Sequence, residues 1–279
     1  MTVKEIISQA LAEDLGDGDH SSLSSIPADA HGGAILIAKE RGILAGIDIA
    51  RQVFQQVDST TIFHALASDG DEVFPGDMVF TVEGKSISIL SGERVALNFI
   101  QRMSGIASRT HHLVSLLNGL STKLLDTRKT TPLLRELEKY AVRVGGGQNH
   151  RFGLFDMIML KDNHIDFAGG IEKAILKAVD YIDSTGKDLR IEVETRNIEE
   201  VREVLRVGKI HRIMFDNFKV EEMKEAVALV GGRFETEASG GITEQTLLAY
   251  AETGVDFISV GALTHHIKSL DLSLKAIKD

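Results

Sequence analysis

The sequence predicts an α/β protein in two parts, a mixed region of short strands and helices followed by a parallel α/β barrel. Three observations carry this. After Gly119, short apolar runs of strand-like composition alternate with helical patterns. Strands separated by helices pair in parallel through right-handed crossovers, and seven or eight such units close into a barrel. Residues 1–85 lack that alternation and mix strands and helices in an α+β pattern. Finally, the apolar runs between Leu124 and Ile165 each end in polar or basic residues, at the strand ends where barrels carry their chemistry.

Val3, Ile6, Ile7, Ala10 and Leu11 recur at helical spacing and predict a helix over 3–12. Glu13 to Asp19 follows as an acid-rich loop. Its acids miss the order of an EF-hand, so it reads as a structural turn. Ala34–Ala38 reads as a strand, Gly42–Ala45 as a turn into a short extended piece, and Ile47–Val57 as a helix. Thr61–Leu66 and Met78–Glu83 are strands, the second entered through the turn Pro75-Gly76-Asp77. Ile89–Leu117 is one long helical stretch with Gly105 inside it; its Arg94, Arg102 and Arg109 read as the solvated face of a connecting helix.

Beyond Gly119 the strands are 123–126, 141–144, 157–160, 189–193, 212–215, 234–237 and 257–260. The helices are 132–140, with Pro132 at its start, then 171–182, 198–207, 220–230 and 244–252.

Composition narrows the function. The chain has no cysteine, which excludes disulfides, thiol catalysis and zinc–thiolate sites. The N-terminal MTVKEIISQALAEDL lacks the uninterrupted apolar core of a signal peptide, and no run approaches the ~18 apolar residues of a membrane span, so a cytoplasmic location is expected. Tryptophan is absent and aromatics are sparse, which disfavours base-stacking nucleic-acid modules. The formal net charge is −10, yet Arg128 to Lys161 holds seven Lys/Arg against three acids. A basic island in an acidic chain suggests a site for a small anion.

The strand ends, in order, are Thr127-Arg128-Lys129, Gly145 to Arg151, Lys161-Asp162-Asn163, Glu192 to Thr195, Asp216-Asn217, Ser239-Gly240-Gly241 and Gly261-Ala262. Arg128 and Arg151 can each form a forked pair with a carboxylate or phosphate, while Lys129 and Lys161 supply point charge. Glu194 and Asp216 suit sugar hydroxyls or Mg²⁺. Ser239-Gly240-Gly241 precedes a helix whose N-terminus can hold a phosphate, and Gly261 begins a second such loop. Singly, each has a plainer reading. Gly145-Gly146-Gly147 lacks the Lys-Ser/Thr of a P-loop and equals a flexible turn; Glu194 or Asp216 alone equals a salt-bridge partner. His164, His111-His112 and His265-His266 match no metal-ligand spacing. Together the strand ends imply a substrate with several negative charges, a sugar and a phosphate.

DTRKTTP (126–132), VGGGQNHRFGLFD (144–156), MLKDNHI (159–165), EVE (192–194), FDN (215–217), ASGGI (238–242) and SVGALTH (259–265) resemble quinolinate phosphoribosyltransferase, the carboxylating nicotinate-nucleotide pyrophosphorylase. NFIQRMSGIA (98–107) and EDLGDGD (13–19) fit as well, so the resemblance covers nearly the whole chain. It implies an N-terminal α/β sandwich over 1–114, a seven-stranded, TIM-like but incomplete α/β barrel over 115–265, and a tail, 266–279, packed back on the first domain. It implies a pentosyltransferase joining quinolinate to 5-phosphoribosyl-1-pyrophosphate, with nicotinate mononucleotide, pyrophosphate and CO₂ as products, for NAD synthesis. Mg²⁺ would accompany the pyrophosphate, with Glu194 and Asp216 as its protein ligands.

By the same resemblance, Thr127, Arg128, His150 and Arg151 would hold quinolinate, with Lys129 and Lys161 where the two substrates meet. Glu194 and Asp216 would bind ribose hydroxyls or the metal. Ser239, Gly240, Gly241, Gly261 and Ala262 would cradle the 5-phosphate. Lys129, Lys161, Glu194 and Asp216 would be the catalytic set. Arg102 would reach into a neighbouring subunit's site, which replaces its reading as a solvated residue and implies a homodimer or a hexamer of dimers. His266 departs from the small residue common after Thr-His. The rivals are a same-fold relative with another substrate, such as the molybdenum-transport-associated proteins, and a non-catalytic anion-binding protein. The arginines at 102, 128 and 151 argue against the first, and intact Lys161, Glu194 and Asp216 against the second.

Overall fold

The computed structural model of the chain describes residues 1–277; Lys278 and Asp279, the end of the expected tail, lie outside the described residues. In chain order the elements are α1 (Val3–Leu15), α2 (His20–Ser25), β1 (His31–Ala38), β2 (Gly42–Ile43), α3 (Ile47–Val57), β3 (Ile62–Ala65), β4 (Glu72–Val73), β5 (Met78–Lys85) and α4 (Ser86–Ser115). There follow β6 (Lys123–Leu125), α5 (Arg135–Val144), β7 (Ile158–Leu160), α6 (Asp162–Ala168), α7 (Ile171–Thr185), β8 (Ile191–Thr195) and α8 (Ile198–Val207). The last are β9 (Arg212–Asp216), α9 (Val220–Val230), β10 (Glu235–Ser239), α10 (Glu244–Ala251), β11 (Phe257–Ser259), α11 (Ala262–His265) and β12 (Leu272–Ala276). They form two compact units. One comprises Met1–His112, Thr130–Gly146 and the C-terminal segment from Ala262; the other comprises Leu113–Lys129 and Gly147–Gly261.

The first unit is built on an antiparallel sheet of order β12-β1-β5-β3. Period-two burial along β1 places Ala34, Leu36 and Ala38 on the core face; Leu36 is paired in register with the fully buried Phe80, and Phe54 is fully buried as well. Phe54 and Phe80 pack edge-on at 6.1 Å, and Phe63 joins Phe80 at 4.4 Å. α1 starts at a capping box, in which the Thr2 hydroxyl accepts from the Glu5 amide and the Glu5 carboxylate accepts from the Thr2 amide. The acid-rich turn after it is structural, as expected: Asp19 caps α2 by accepting from the Ser22 amide at 3.1 Å. α3 has no capping side chain of its own, and Asp69 supplies one, accepting from the amides of Gly46 and Ile47 at 2.9 and 3.0 Å.

One expected element is absent. Residues 141–144, read as a strand, are the last turn of α5. Leu137 and Ala141 lie four residues apart, with Val142 beside them, and all three are buried, so the apolar run is one face of a helix and not a strand. Helix α5 begins at Arg135, three residues after Pro132.

The second unit is an α/β barrel sheet. Six parallel strands run in the order β6-β11-β10-β9-β8-β7, with α7, α8, α9 and α10 as crossovers. At the free edge of β6, Gln148 forms an isolated parallel bridge to Leu125: its amide donates to the Leu124 carbonyl and its carbonyl accepts from Asp126. A single bridging residue thus stands beside β6 where the sequence predicts a further strand. The registers Glu192↔Arg212, Glu194↔Met214, Glu237↔Met214 and Ser239↔Asp216 align the strand ends on which the site is built.

Candidate active site

Asp126, fully buried at the end of β6, organises the basic segment. It accepts from the His150 amide at 2.8 Å and from the Asn149 side chain at 2.5 Å, and so holds the segment 148–151 against β6. Thr127, next along, accepts from the Lys129 amide at 3.0 Å, and this turn leaves Arg128 and Lys129 exposed. Arg151 is partly buried, and its guanidinium reaches one carbonyl, that of Met157, at 3.3 Å. Its affinity for its proton is lowered by burial and then by the positive charge of Arg128. Two arginines that disfavour each other, one of them desolvated, make a place that an anion relieves.

Across the sheet, Lys161 at the end of β7 contacts the nearly buried Glu194 of β8 at 2.6 Å. Asp216, at the end of β9, is held above the ordinary carboxylate range by burial and by the charge of Glu194, with Lys161 opposing. The two carboxylates are only partly neutralised by one lysine. Two carboxylate groups of this kind are oxygen donors of the type a hard divalent cation takes. Next in the round, Gly240 and Gly241 have φ of +90° and +61°, and a side chain at Gly240 would collide with Asn217. The loop Ser239-Gly240-Gly241 therefore exposes its backbone just before α10. Gly261 and Ala262 follow β11, with Ala262 opening α11.

Below this ring lies a charged layer that sequence reasoning missed. His150 is buried with Nε2 3.0 Å from Glu192 and 3.4 Å from Glu237. Arg212 supports Glu237 at 2.8 Å and Glu235 at 3.0 Å. Burial alone would lower the basicity of His150, but hydrogen bonding to and the charge of the two glutamates raise it to about 9. Burial and then the charge of Glu237 push Glu192 up to about 7, while Glu237 is held down by His150 and Arg212 despite its own burial. The amide of Arg151, 2.6 Å from Nδ1, favours a lone pair there and works against full protonation of the ring. Either way the proton on Nε2 faces the two carboxylates. Among the described residues, His150, Glu192 and Glu237 also form the one cluster with metal-ligand spacing. Arg212 already supplies that layer with a cation. The signal was present in the strands: Glu192 and Glu194 in IEVET, and Glu235 and Glu237 in ETEAS, alternate with period two and so point to one face.

In the first unit, Arg102 on α4 is joined to Glu138 of α5 at 2.6 and 2.9 Å and to the Thr131 hydroxyl at 2.7 Å. The structure thus assembles two groups within the second unit. Thr127, Arg128, Lys129, His150 and Arg151 follow β6; Lys161, Glu194, Asp216, the Ser239-Gly240-Gly241 loop and Gly261 sit at the ends of the remaining strands, while Ala262 falls in the first unit. Arg102 belongs to the first unit.

Comparison with known proteins places both parts of the chain in one family. The model of the quinolinate phosphoribosyl transferase N-terminal domain matches residues 15–104, and that of the C-terminal domain matches residues 106–275. A quinolinate phosphoribosyltransferase [decarboxylating] 2, mitochondrial, of Nicotiana glauca is 46% identical over 288 residues, spanning 98% of this chain and 82% of that protein. The probable nicotinate-nucleotide pyrophosphorylase [carboxylating] of Bacillus subtilis is 44% identical over 274 residues, spanning 98% of this chain and 93% of that one. The solved nicotinate-nucleotide pyrophosphorylase of Francisella tularensis superposes with a TM-score of 0.93 at 44% identity, over 99% of this chain and 96% of that one. With both domain models matched in order across the chain, the protein belongs to the quinolinate phosphoribosyl transferase family.

Proposed function

We propose that this chain transfers the phosphoribosyl group of 5-phosphoribosyl-1-pyrophosphate to the ring nitrogen of quinolinate, releasing pyrophosphate and CO₂ and forming nicotinate mononucleotide for NAD synthesis. The observation that carries this reading is the partly buried Arg151 repelled by the exposed Arg128, in the same unit as the Lys161–Glu194–Asp216 set. The first pair suits a dicarboxylate, and the second suits a ribose bearing pyrophosphate.

The chemistry follows from charge. The bond from ribose C1 to the pyrophosphate oxygen breaks and its electrons leave with pyrophosphate. The ribose becomes oxocarbenium-like, and the carboxylates of Glu194 and Asp216 favour that positive charge. Lys161 and Lys129 favour the departing anion. The pyridine nitrogen then bonds to C1, so no protein nucleophile is needed. The nitrogen, now cationic, draws electrons from the adjacent carbon; its carboxylate leaves as CO₂, and that carbon takes a proton from solvent. Arg128, Arg151 and Thr127 orient the dianion; His150, buried with Nε2 on Glu192 and Glu237 and Nδ1 on the Arg151 amide, acts by fixing the segment that carries Arg151. Ser239, Gly240, Gly241, Gly261 and Ala262 hold the 5-phosphate through backbone amides. Glu194 and Asp216 would hold Mg²⁺, which would supply neutralisation of the leaving-group charge.

The same reading makes residues 1–114, with the tail from 266, one domain and residues 115–265 the catalytic barrel. It makes the protein a cytoplasmic homodimer, or a hexamer of dimers, in which Arg102 enters the neighbour's site. No helix among the described residues is long and apolar enough to cross a membrane. The test is to incubate the protein with Mg²⁺, quinolinate and 5-phosphoribosyl-1-pyrophosphate and follow nicotinate mononucleotide and CO₂. Both products are expected, with little turnover when nicotinate replaces quinolinate and loss of turnover in EDTA. No product from quinolinate, or equal product from nicotinate, refutes the assignment.

A further inference from the structure

Glu138 stands out among the residues that the chemistry above does not use. It lies on α5, its side chain is 1% exposed, and it carries a carboxylate into that interior. Burying a carboxylate costs several kcal/mol unless each oxygen finds a donor. Both do. Oε1 accepts from Nε and Nη2 of Arg102 at 2.9 and 2.6 Å, and Oε2 accepts from the Thr131 amide at 3.1 Å. Thr131 closes the arrangement, its hydroxyl accepting from the same Nη2 at 2.7 Å. The Thr264 carbonyl adds a further acceptor at 3.2 Å.

These contacts leave a specific remainder. Nε and Nη2 of Arg102 are fully engaged, Nη1 makes no hydrogen bond among the described residues, and the side chain keeps 30% of its surface exposed. A guanidinium is planar, so fixing two of its three nitrogens fixes the direction in which the third points. A lysine at position 102 could not be aimed this way. A structural ion pair has no need of an exposed nitrogen, and the site would be cheaper to fill with apolar side chains.

We propose that Glu138 is a positioning residue for substrate binding: its carboxylate fixes the plane of Arg102 so that Nη1 is presented to a carboxylate of the substrate. It also ties that arginine to Thr131, two residues beyond Lys129 in the basic segment. The inference rests on the reading of Arg102 as a quinolinate ligand.

A double-mutant cycle tests both claims separately, with the KM for quinolinate as the readout and circular dichroism to confirm folding. Arg102→Ala tests the ligand reading, and Glu138→Gln tests the positioning. Gln keeps the shape but offers one acceptor where three donors converge. Glu138→Gln is expected to raise the KM for quinolinate about tenfold, the scale of one displaced charge-assisted contact, with a smaller change in kcat. Added to Arg102→Ala, it should raise KM no further, because the residue it acts through is gone. An unchanged KM in folded Glu138→Gln overturns the inference, as do effects that multiply in the double variant. An unchanged KM in Arg102→Ala overturns the ligand reading itself.

Discussion

Replacing Arg151 by alanine separates substrate binding from folding. The Arg151 guanidinium is partly buried, repelled by Arg128 and more weakly drawn to Glu192 and Asp156, and hydrogen-bonded to the protein through one 3.3 Å contact to the Met157 carbonyl. It therefore contributes little to the fold, and its removal relieves Arg128. Toward a dicarboxylate its role is large: a charge-assisted contact in a partly desolvated place is worth about 2 kcal/mol or more. Arg151→Ala should thus lower kcat/KM for quinolinate at least ~30-fold, while unfolding free energy stays within about 0.5 kcal/mol of the parent or rises. Steady-state kinetics at varied quinolinate and urea unfolding monitored by circular dichroism measure the two quantities. Unchanged kcat/KM removes Arg151 from the site. A loss of activity matched by a loss of several kcal/mol of stability would make the residue structural and refute the argument.

Three other outcomes are expected. Asp216 has its folded pKa raised by burial and Glu194, so protonating it stabilises the fold, and that contribution is lost as pH rises through the folded pKa. Lys161 opposes this loss, so the stability deficit of Lys161→Met should grow as pH rises from ~4 to ~7, by on the order of 1 kcal/mol given the exposure of Lys161; a deficit that shrinks over that range contradicts the arrangement. Glu237→Gln leaves Arg212 and His150 short of a buried counter-charge and should cost about 3 kcal/mol in denaturant unfolding, whereas a change under ~0.5 kcal/mol would show the layer to be self-sufficient without it. Gly240→Ala demands a left-handed backbone and collides with Asn217, so the KM for 5-phosphoribosyl-1-pyrophosphate should rise more than that for quinolinate.

Much of the site is legible because barrel chemistry lies at strand ends, and strand ends are marked in sequence by an apolar run giving way to polar residues. Lys161 after MIML, Glu194 in EVE, Asp216 after IMF and Ser239 before two glycines are all found this way. The sequence marks His150 and Glu192 as strand-end residues but does not join them to Arg212 and Glu237, which sit inside runs that read as buried strands. Their side chains meet only when β8, β9 and β10 align in register. The strand expected at 141–144 failed for a related reason: four residues rich in Ala and Val carry too little periodicity to separate a strand from the end of a helix, and packing of α5 decided it.

By itself, the sequence determined the α/β class, the alternation that builds the barrel sheet, the order of cations and carboxylates around it, and the family. These are local or serial properties, written in period, composition and motif. Tertiary structure alone decided that Glu138 lies against Arg102, thirty-six positions away in the chain, and that His150 faces two glutamates from different strands. It also decided that Gln148 adds only a one-residue parallel bridge beside β6. Such contacts join residues far apart in sequence. They depend on how helices pack and strands register, and on the cost of burying charge, which is met only once the partners have been brought together.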